Sequence, residues 1–158
     1  MHGHIFNSPV GPLYLQEEDG RLVGLSFESA SYEAGEETAS YSEAPPLLLE
    51  AERQLRAYFS GRLRAFDLPL RPEGTPFMRR VWSELERIPY GGTASYKDIA
   101  RRMGNPGACR AVGMANHRNP VAIIIPCHRV IGSGNTLGGY AGGLEIKKTL
   151  LRLEGLSF

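Results

Sequence analysis

The chain has 158 residues, 42% of them hydrophobic and 22% charged, which suits one domain or two small ones sharing a core boundary and excludes a disordered polymer. No apolar run approaches the ~18 residues of a membrane span. The N-terminus, Met1-His2-Gly3-His4, lacks the basic and apolar regions of a secretory signal, so the expectation is a cytoplasmic protein with no membrane partner. The net charge of +1 conceals an asymmetry: residues 1–74 carry 6 Lys/Arg against 12 Asp/Glu, whereas residues 75–158 carry 12 against 5. Such a split fits a basic half that meets a polyanion, or simply two solvated faces of opposite sign.

Taken in chain order, the first third reads as β-structure. His4-Ile5-Phe6, Leu13-Tyr14-Leu15 and Leu22 to Phe27 are short apolar runs, punctuated by Pro9, Gly11-Pro12 and the hairpin turn Asp19-Gly20. Residues 28–44, rich in Glu, Ser, Ala and Gly, read as a loop. Pro45-Pro46 opens a helical pattern through Leu48, Leu49, Ala51, Leu55, Tyr58 and Phe59, with Gly61 as its stop. Phe66 to Leu70 is a candidate further strand. A turn-rich stretch, Arg71 to Pro76, coincides with the change of charge, so the domain boundary is expected at 74/75.

The second half opens with a helix that places Phe77, Val81, Trp82, Leu85 and Ile88 on one face. Ser95-Tyr96-Lys97-Asp98 has the spacing of a capping box, and Gly104 is a left-handed stop for the short helix that follows. Asn105-Pro106 is read as the cap and first residue of the next helix, which runs through Arg110, Ala111, Val112 and Ala115. Two short helices around a Gly-containing turn, after a third packing helix, form a helix-turn-helix pattern. The apolar run Val121 to Ile125 then leads into Pro126-Cys127-His128-Arg129. A glycine-rich loop, residues 132–143, carries Tyr140, and a last helix covers about 144–154.

The chemistry centres on Cys127. Cys109 and Cys127 lie 18 residues apart with no CxxC, and two free thiols in a reducing compartment is the better reading. No metal is expected, because His2 and His4 have no cysteine near them to complete a tetrahedral site. A nucleophilic cysteine needs a base or positive potential beside it. His128 is adjacent, but in an extended segment neighbouring side chains face opposite ways. A bridging water, or a turn at Pro126, would therefore have to connect them. The histidine in turn needs a carboxylate behind it, and the basic half offers Glu84, Glu86, Asp98, Glu145 and Glu154. On local chemistry alone, a buried inert cysteine competes with this reading.

Ile125-Pro126-Cys127-His128-Arg129-Val130 resembles the active-site signature of the O6-alkylguanine-DNA alkyltransferase family. Ser95-Tyr96, Gly104-Asn105-Pro106, Arg110 to Gly113, Asn119-Pro120-Val121, Gly139 to Leu144 and Leu150 to Gly155 follow the family pattern in order and spacing, over about residues 76–155. The resemblance implies a ribonuclease-H-like α/β domain at 1–74, with a small antiparallel sheet plus helix. An α-rich, winged-helix-like domain with a helix-turn-helix, which binds DNA and carries out the transfer, would follow at 75–158. It also implies a monomer that needs no cofactor, acts once, and meets double-stranded DNA carrying O6-alkylguanine through the minor groove, with O4-alkylthymine a second candidate lesion.

The residue roles come from the same resemblance. Cys127 would take the alkyl group, His128 would receive the thiol proton through a water, and Glu154 would orient His128. Asn119 would hold the turn presenting Cys127, and Tyr96 would donate a hydrogen bond or proton to the departing guanine. Arg110 would fill the gap left by the flipped nucleotide, with Ala111 beside it at the DNA. Tyr140 would wall the pocket, Ala141 would offer its backbone amide to O6, and Gly142 would be among the substrate and DNA contacts. The carbonyls of Cys127 and Val130 would read the guanine amino group, with Arg129 among the substrate and DNA contacts. Ala141 stands where some members have Ser, and Asn116-His117-Arg118 departs from several of them. A helix-turn-helix protein that binds lesions or regulates without chemistry is the main rival reading. A cysteine hydrolase is the second.

Overall fold

The computed structural model describes residues 1–27 and 44–158, which form two compact units, Met1–Pro72 and Glu73–Phe158. Apart from Ala44, the expected loop over residues 28–44 lies outside the described residues. Among them, no helix is long and apolar enough to cross a membrane.

In the first unit, strands β1 (His2–Ser8), β2 (Gly11–Glu18) and β3 (Arg21–Phe27) form an antiparallel meander in that order. Glu18 pairs with Arg21 across Asp19 and Gly20, both at positive φ (53° and 75°). This is the two-residue turn whose twist matches that of the strands. Helix α1 (Pro46–Phe59) lies against all three strands. Its buried positions, Leu48, Ala51, Glu52, Leu55 and Tyr58, follow the spacing of one helical face. Leu13, Leu15, Leu22, Leu48 and Leu55 are fully buried, each contributing about 1.5–3 kcal/mol of transfer free energy. Gly61 (φ 78°) ends α1: its amide donates to the Tyr58 carbonyl and the Arg62 amide to Ala57, a Schellman cap.

Phe66 to Leu70 is not a strand. Leu70 makes one isolated bridge to Leu22, and the Gln54 side chain takes both backbone groups of Asp67 at 2.9 Å. A side-chain amide has replaced the ladder there, and Pro69 has no N–H to continue it.

The second unit begins with α2 (Pro76–Leu85), whose first turn is capped by Thr75 Oγ1 accepting from the Met78 amide. Val81, Trp82 and Leu85 face inward, and Trp82 Nε1 donates to the Ala115 carbonyl at 2.8 Å. A short strand β4 (Ala94–Ser95) runs into α3 (Tyr96–Arg102) through a reciprocal cap. Asp98 N donates to Ser95 Oγ (3.0 Å) and Ser95 N to Asp98 Oδ2 (2.9 Å). Gly104 (φ 73°) closes α3 with a second Schellman cap, the Asn105 amide reaching the Ala100 carbonyl.

Helix α4 starts at Cys109 and runs to His117, later than the Asn105-Pro106 start read from the sequence. The Ala108 amide donates to the Asn105 carbonyl, so Pro106 occupies the second position of a β-turn rather than the first turn of a helix. A fixed φ near −65° suits both places, and only the packing separates them. Helices α2, α3 and α4 pack on one another as the helix-turn-helix core. Strand β5 (Val130–Ile131) pairs parallel with β4, and α5 (Leu144–Leu153) closes the unit.

Candidate active site

The run before the cysteine is built from tight turns rather than extended chain. Ile124 N donates to the Ala122 carbonyl around Ile123, whose φ is +70°. This is a three-residue turn with positive φ, rare for a β-branched residue and costing about 1–3 kcal/mol. Two residues later Cys127 N donates to Ile125 O (2.8 Å) around Pro126, at φ −81° and ψ 63°, the inverse γ-turn. Asn119 clamps both ends of the segment: its Oδ1 accepts from Val121 N (3.0 Å) and its Nδ2 donates to Ile125 O (2.7 Å). Cys127, His128 and Arg129 then form one 3-10 turn, not the extended segment that would have set neighbouring side chains on opposite faces.

His128 is wholly buried, with Nε2 2.7 Å from Glu154 Oε2. A carboxylate only accepts, so Nε2 carries the proton and Nδ1 is the basic nitrogen. Nδ1 is buried and has no protein partner among the described residues. Of the five acidic residues open as partners, the structure selects Glu154.

Arg129 is the clear departure from expectation. Placed by the resemblance among the substrate and DNA contacts, it is instead buried and turned inward. Nε and Nη2 donate to the two Glu154 oxygens (2.7 and 3.1 Å), and Nη1 donates to the Ile88 carbonyl (2.7 Å). A guanidinium fork matches a carboxylate in two places at once, which outweighs a solvent-facing role.

Lys147 was not singled out from the sequence. It is fully buried, and Nζ donates to Val130 O (2.7 Å) and Gly139 O (3.2 Å). The Val130 carbonyl expected to read a guanine amino group is thus already engaged. The Cys127 carbonyl likewise accepts from Val130 N. Each keeps a second lone pair.

The remaining residues divide by exposure. Arg110 and Ala111 lie on the exposed face of α4, with Met114 57% exposed beside them. Tyr96, Lys97, Cys109, Arg110, Gly113 and Ser133 line a groove of about 350 Å³. Gly138 (φ 70°) comes so near Tyr96 that an added Cβ would lie 3.1 Å from its hydroxyl. Tyr140 and Gly142 are half-buried and Ala141 is exposed.

Electrostatics tie these groups to the thiol. Burial pushes the Cys127 thiol up; an Asn119 hydrogen bond, the Lys147 charge and a Tyr140 hydrogen bond oppose it. Burial also raises the Tyr96 phenol, and a charge on Cys127 raises it further. Burial lowers the His128 imidazolium, while the Glu154 hydrogen bond and charge pull it back. Among the described residues no group of His, Cys, Asp and Glu is arranged to hold a metal.

The arrangement can now be set beside known proteins. Residues 76–156 match the family model for the DNA-binding domain of 6-O-methylguanine DNA methyltransferase, and residues 1–72 match that for its ribonuclease-like domain. The chain is 50% identical over 155 residues to the methylated-DNA–protein-cysteine methyltransferase of Methanosarcina acetivorans, covering 98% of this chain and 99% of that one. It is 47% identical over 154 residues to the constitutive enzyme of Bacillus subtilis, covering 96% and 93%. The crystal structure of Mycobacterium tuberculosis OGT in complex with DNA superposes with a TM-score of 0.86 at 44% identity, covering 98% of this chain and 93% of that one. With both domain models matched in order and relatives aligned over nearly its whole length, the chain belongs to the methylated-DNA–protein-cysteine methyltransferase family.

Proposed function

We propose that this protein repairs DNA by direct reversal, moving a methyl or other alkyl group irreversibly from O6 of guanine in double-stranded DNA to Cys127, with the chemistry housed in the second unit. The observation that carries the reading is the loading of His128. Its Nε2 is spoken for by Glu154, which leaves a basic Nδ1 in the same 3-10 turn as a buried thiol. One water between Nδ1 and Sγ suffices to take the thiol proton.

In the displacement, Sγ forms a bond to the alkyl carbon, and the carbon–O6 bond breaks with its electron pair going to the guanine. Tyr96 steadies the guanine anion by a hydrogen bond or proton, and the proton lost from Cys127 ends on the base. The thioether is stable, so each molecule acts once.

The O6 group lies inside the duplex, so the nucleotide must rotate out, at a cost of a few kcal/mol. Arg110, on the exposed face of α4, fills the vacated place, and Ala111 beside it permits close approach. Entry from the minor groove suits repair in any sequence context, because that groove distinguishes little beyond A·T from G·C. Tyr140 walls the pocket. Ala141 and Gly142 supply amides to O6, and the free lone pairs of the Cys127 and Val130 carbonyls meet the guanine amino group. O4-alkylthymine presents the same alkyl–oxygen bond and is a second substrate.

The test is an intact-mass measurement after incubation with a duplex containing one O6-methylguanine. The expected result is one added methylene equivalent on the Cys127 peptide, with stoichiometric loss of the lesion. Unmodified protein that still binds the duplex would instead support the binding-only reading, and repeated turnover on an ester or amide would support a hydrolase.

A further inference from the structure

We infer that Tyr90 is a positioning residue for the transfer reaction: with Ile88 and Gly91 it clamps the end of α5 and so holds the Glu154 carboxylate against His128. The inference rests on the proposed reaction and deepens it.

The need for a clamp follows from where Glu154 stands. It is the residue at which α5 ends, at φ −82° and ψ 6°. Helix ends fray, and the partial negative charge of a helix C-terminus repels a carboxylate. The side chain that meets His128 Nε2 at 2.7 Å is thus mounted on the least constrained turn of its helix. The backbone closes there by a Schellman cap. Gly155 (φ 92°) donates to the Arg152 carbonyl and Leu156 to that of Leu151, while Glu154 N reaches Leu150. None of these bonds uses the Leu153 carbonyl, the group that immediately precedes Glu154.

Tyr90 supplies its donor. The phenol hydroxyl reaches the Leu153 carbonyl at 3.0 Å, from a residue 63 positions earlier in the chain. The same ring lies 5.9 Å from the Arg129 guanidinium, within the range of a cation–π contact. Arg129 in turn holds both Glu154 oxygens and the Ile88 carbonyl. Gly91 closes the third side. Its φ is 79°, and an added Cβ would lie 3.3 Å from the Glu154 backbone oxygen, so glycine suits this place on both counts. Residues 88, 90 and 91 of one short loop therefore meet either the backbone around a single carboxylate or the arginine that grips it. A loop whose only task was to end α2 needs none of these contacts.

The test is Tyr90→Phe in the full chain, which removes one hydroxyl and keeps the ring. The first readout is the proton resonance of His128 Nε2–H in the protein without DNA. It is expected to move upfield and to exchange with water about three- to tenfold faster, as the hydrogen bond to Glu154 loosens. The second readout is single-turnover transfer from an O6-methylguanine duplex, expected to slow by about three- to tenfold. Thr75→Ala, which loses the α2 cap in the same unit, is expected to leave both readouts unmoved, so general destabilisation is not what they report.

Slowed transfer with an unmoved resonance overturns the inference, and so does a moved resonance at the wild-type rate. A Thr75→Ala chain that matches Tyr90→Phe in both also overturns it. If the wild-type chain takes no methyl group from the duplex, the proposed reaction fails, and the resonance alone decides whether Tyr90 holds Glu154 in place.

Discussion

Both units bury a histidine against a glutamate, and an arginine touches the glutamate in each. In the first, His4 Nε2 sits 3.1 Å from Glu52 Oε1, and Arg56 Nε lies 3.4 Å from Oε2 with its side chain 61% exposed. In the second, His128 sits 2.7 Å from Glu154, and a buried Arg129 holds both carboxylate oxygens. The first pair joins β1 to α1, with Arg56 stacked over Phe6 at 4.8 Å. In the second pair His128 stands in the same turn as a buried thiol, and the charge of a buried lysine disfavours its imidazolium form. The difference teaches that a histidine–carboxylate pair is a packing solution first. It becomes chemical equipment only where a nucleophile and a compensating charge share its surroundings.

The comparison is tested most severely at the nucleophile. Cys127→Ser is expected to abolish alkyl transfer, since a serine hydroxyl has no thiolate to offer at neutral pH, while affinity for duplex DNA changes by less than about twofold. Equal loss of both, read by mass and by fluorescence anisotropy, would mean the residue serves the fold.

The two glutamates come next. Glu154→Gln is expected to slow transfer by about 10²-fold and to cost about 3–5 kcal/mol of stability by stranding Arg129. Glu52→Gln should leave transfer intact and cost about 1–3 kcal/mol. Single-turnover rates alongside urea denaturation separate the two, and a slowed Glu52→Gln would erase the distinction drawn between the units.

The pH response should also be lopsided. Burial holds the folded His128 below its ordinary 6.5, so the unfolded chain binds the extra proton first. Stability from this site is present above about 6.5 and is lost as pH falls through that value towards the folded one. Unfolding midpoints should decline more steeply with acid in wild type than in His128→Gln.

The smallest effect lies outside the site. Ser95→Ala removes one half of the α3 cap and should cost about 1 kcal/mol, a drop in melting temperature of a few degrees.

How much of this was legible depended on whether a feature is local. The Asp19-Gly20 turn, the Ser95–Asp98 cap and the Gly61 and Gly104 stops each involve a handful of adjacent residues, and their side-chain chemistry declares them. Phe66 to Leu70 and Asn105-Pro106 misled because the deciding groups lay elsewhere: the Gln54 amide in one case, the packing of α4 in the other. At the site, Cys127, His128 and Asn119 stood out through their motif. Lys147 left a fainter mark, a charge on the apolar face of the last helix that deserved a question.

The sequence by itself determined the family and the order of the two domains and pointed to Cys127 as the proposed nucleophile, because motif spacing and turn chemistry are written in neighbouring residues. Only the tertiary structure decided which carboxylate stands behind His128, that Arg129 faces inward, and that buried Lys147 bonds the Val130 carbonyl at the end of the cysteine turn. Those three depend on α5 packing against the cysteine turn, which brings together groups 17 to 26 residues apart in the chain. Burial there turns weak long-range charges into the strongest local forces, and no spacing rule along the chain reports it.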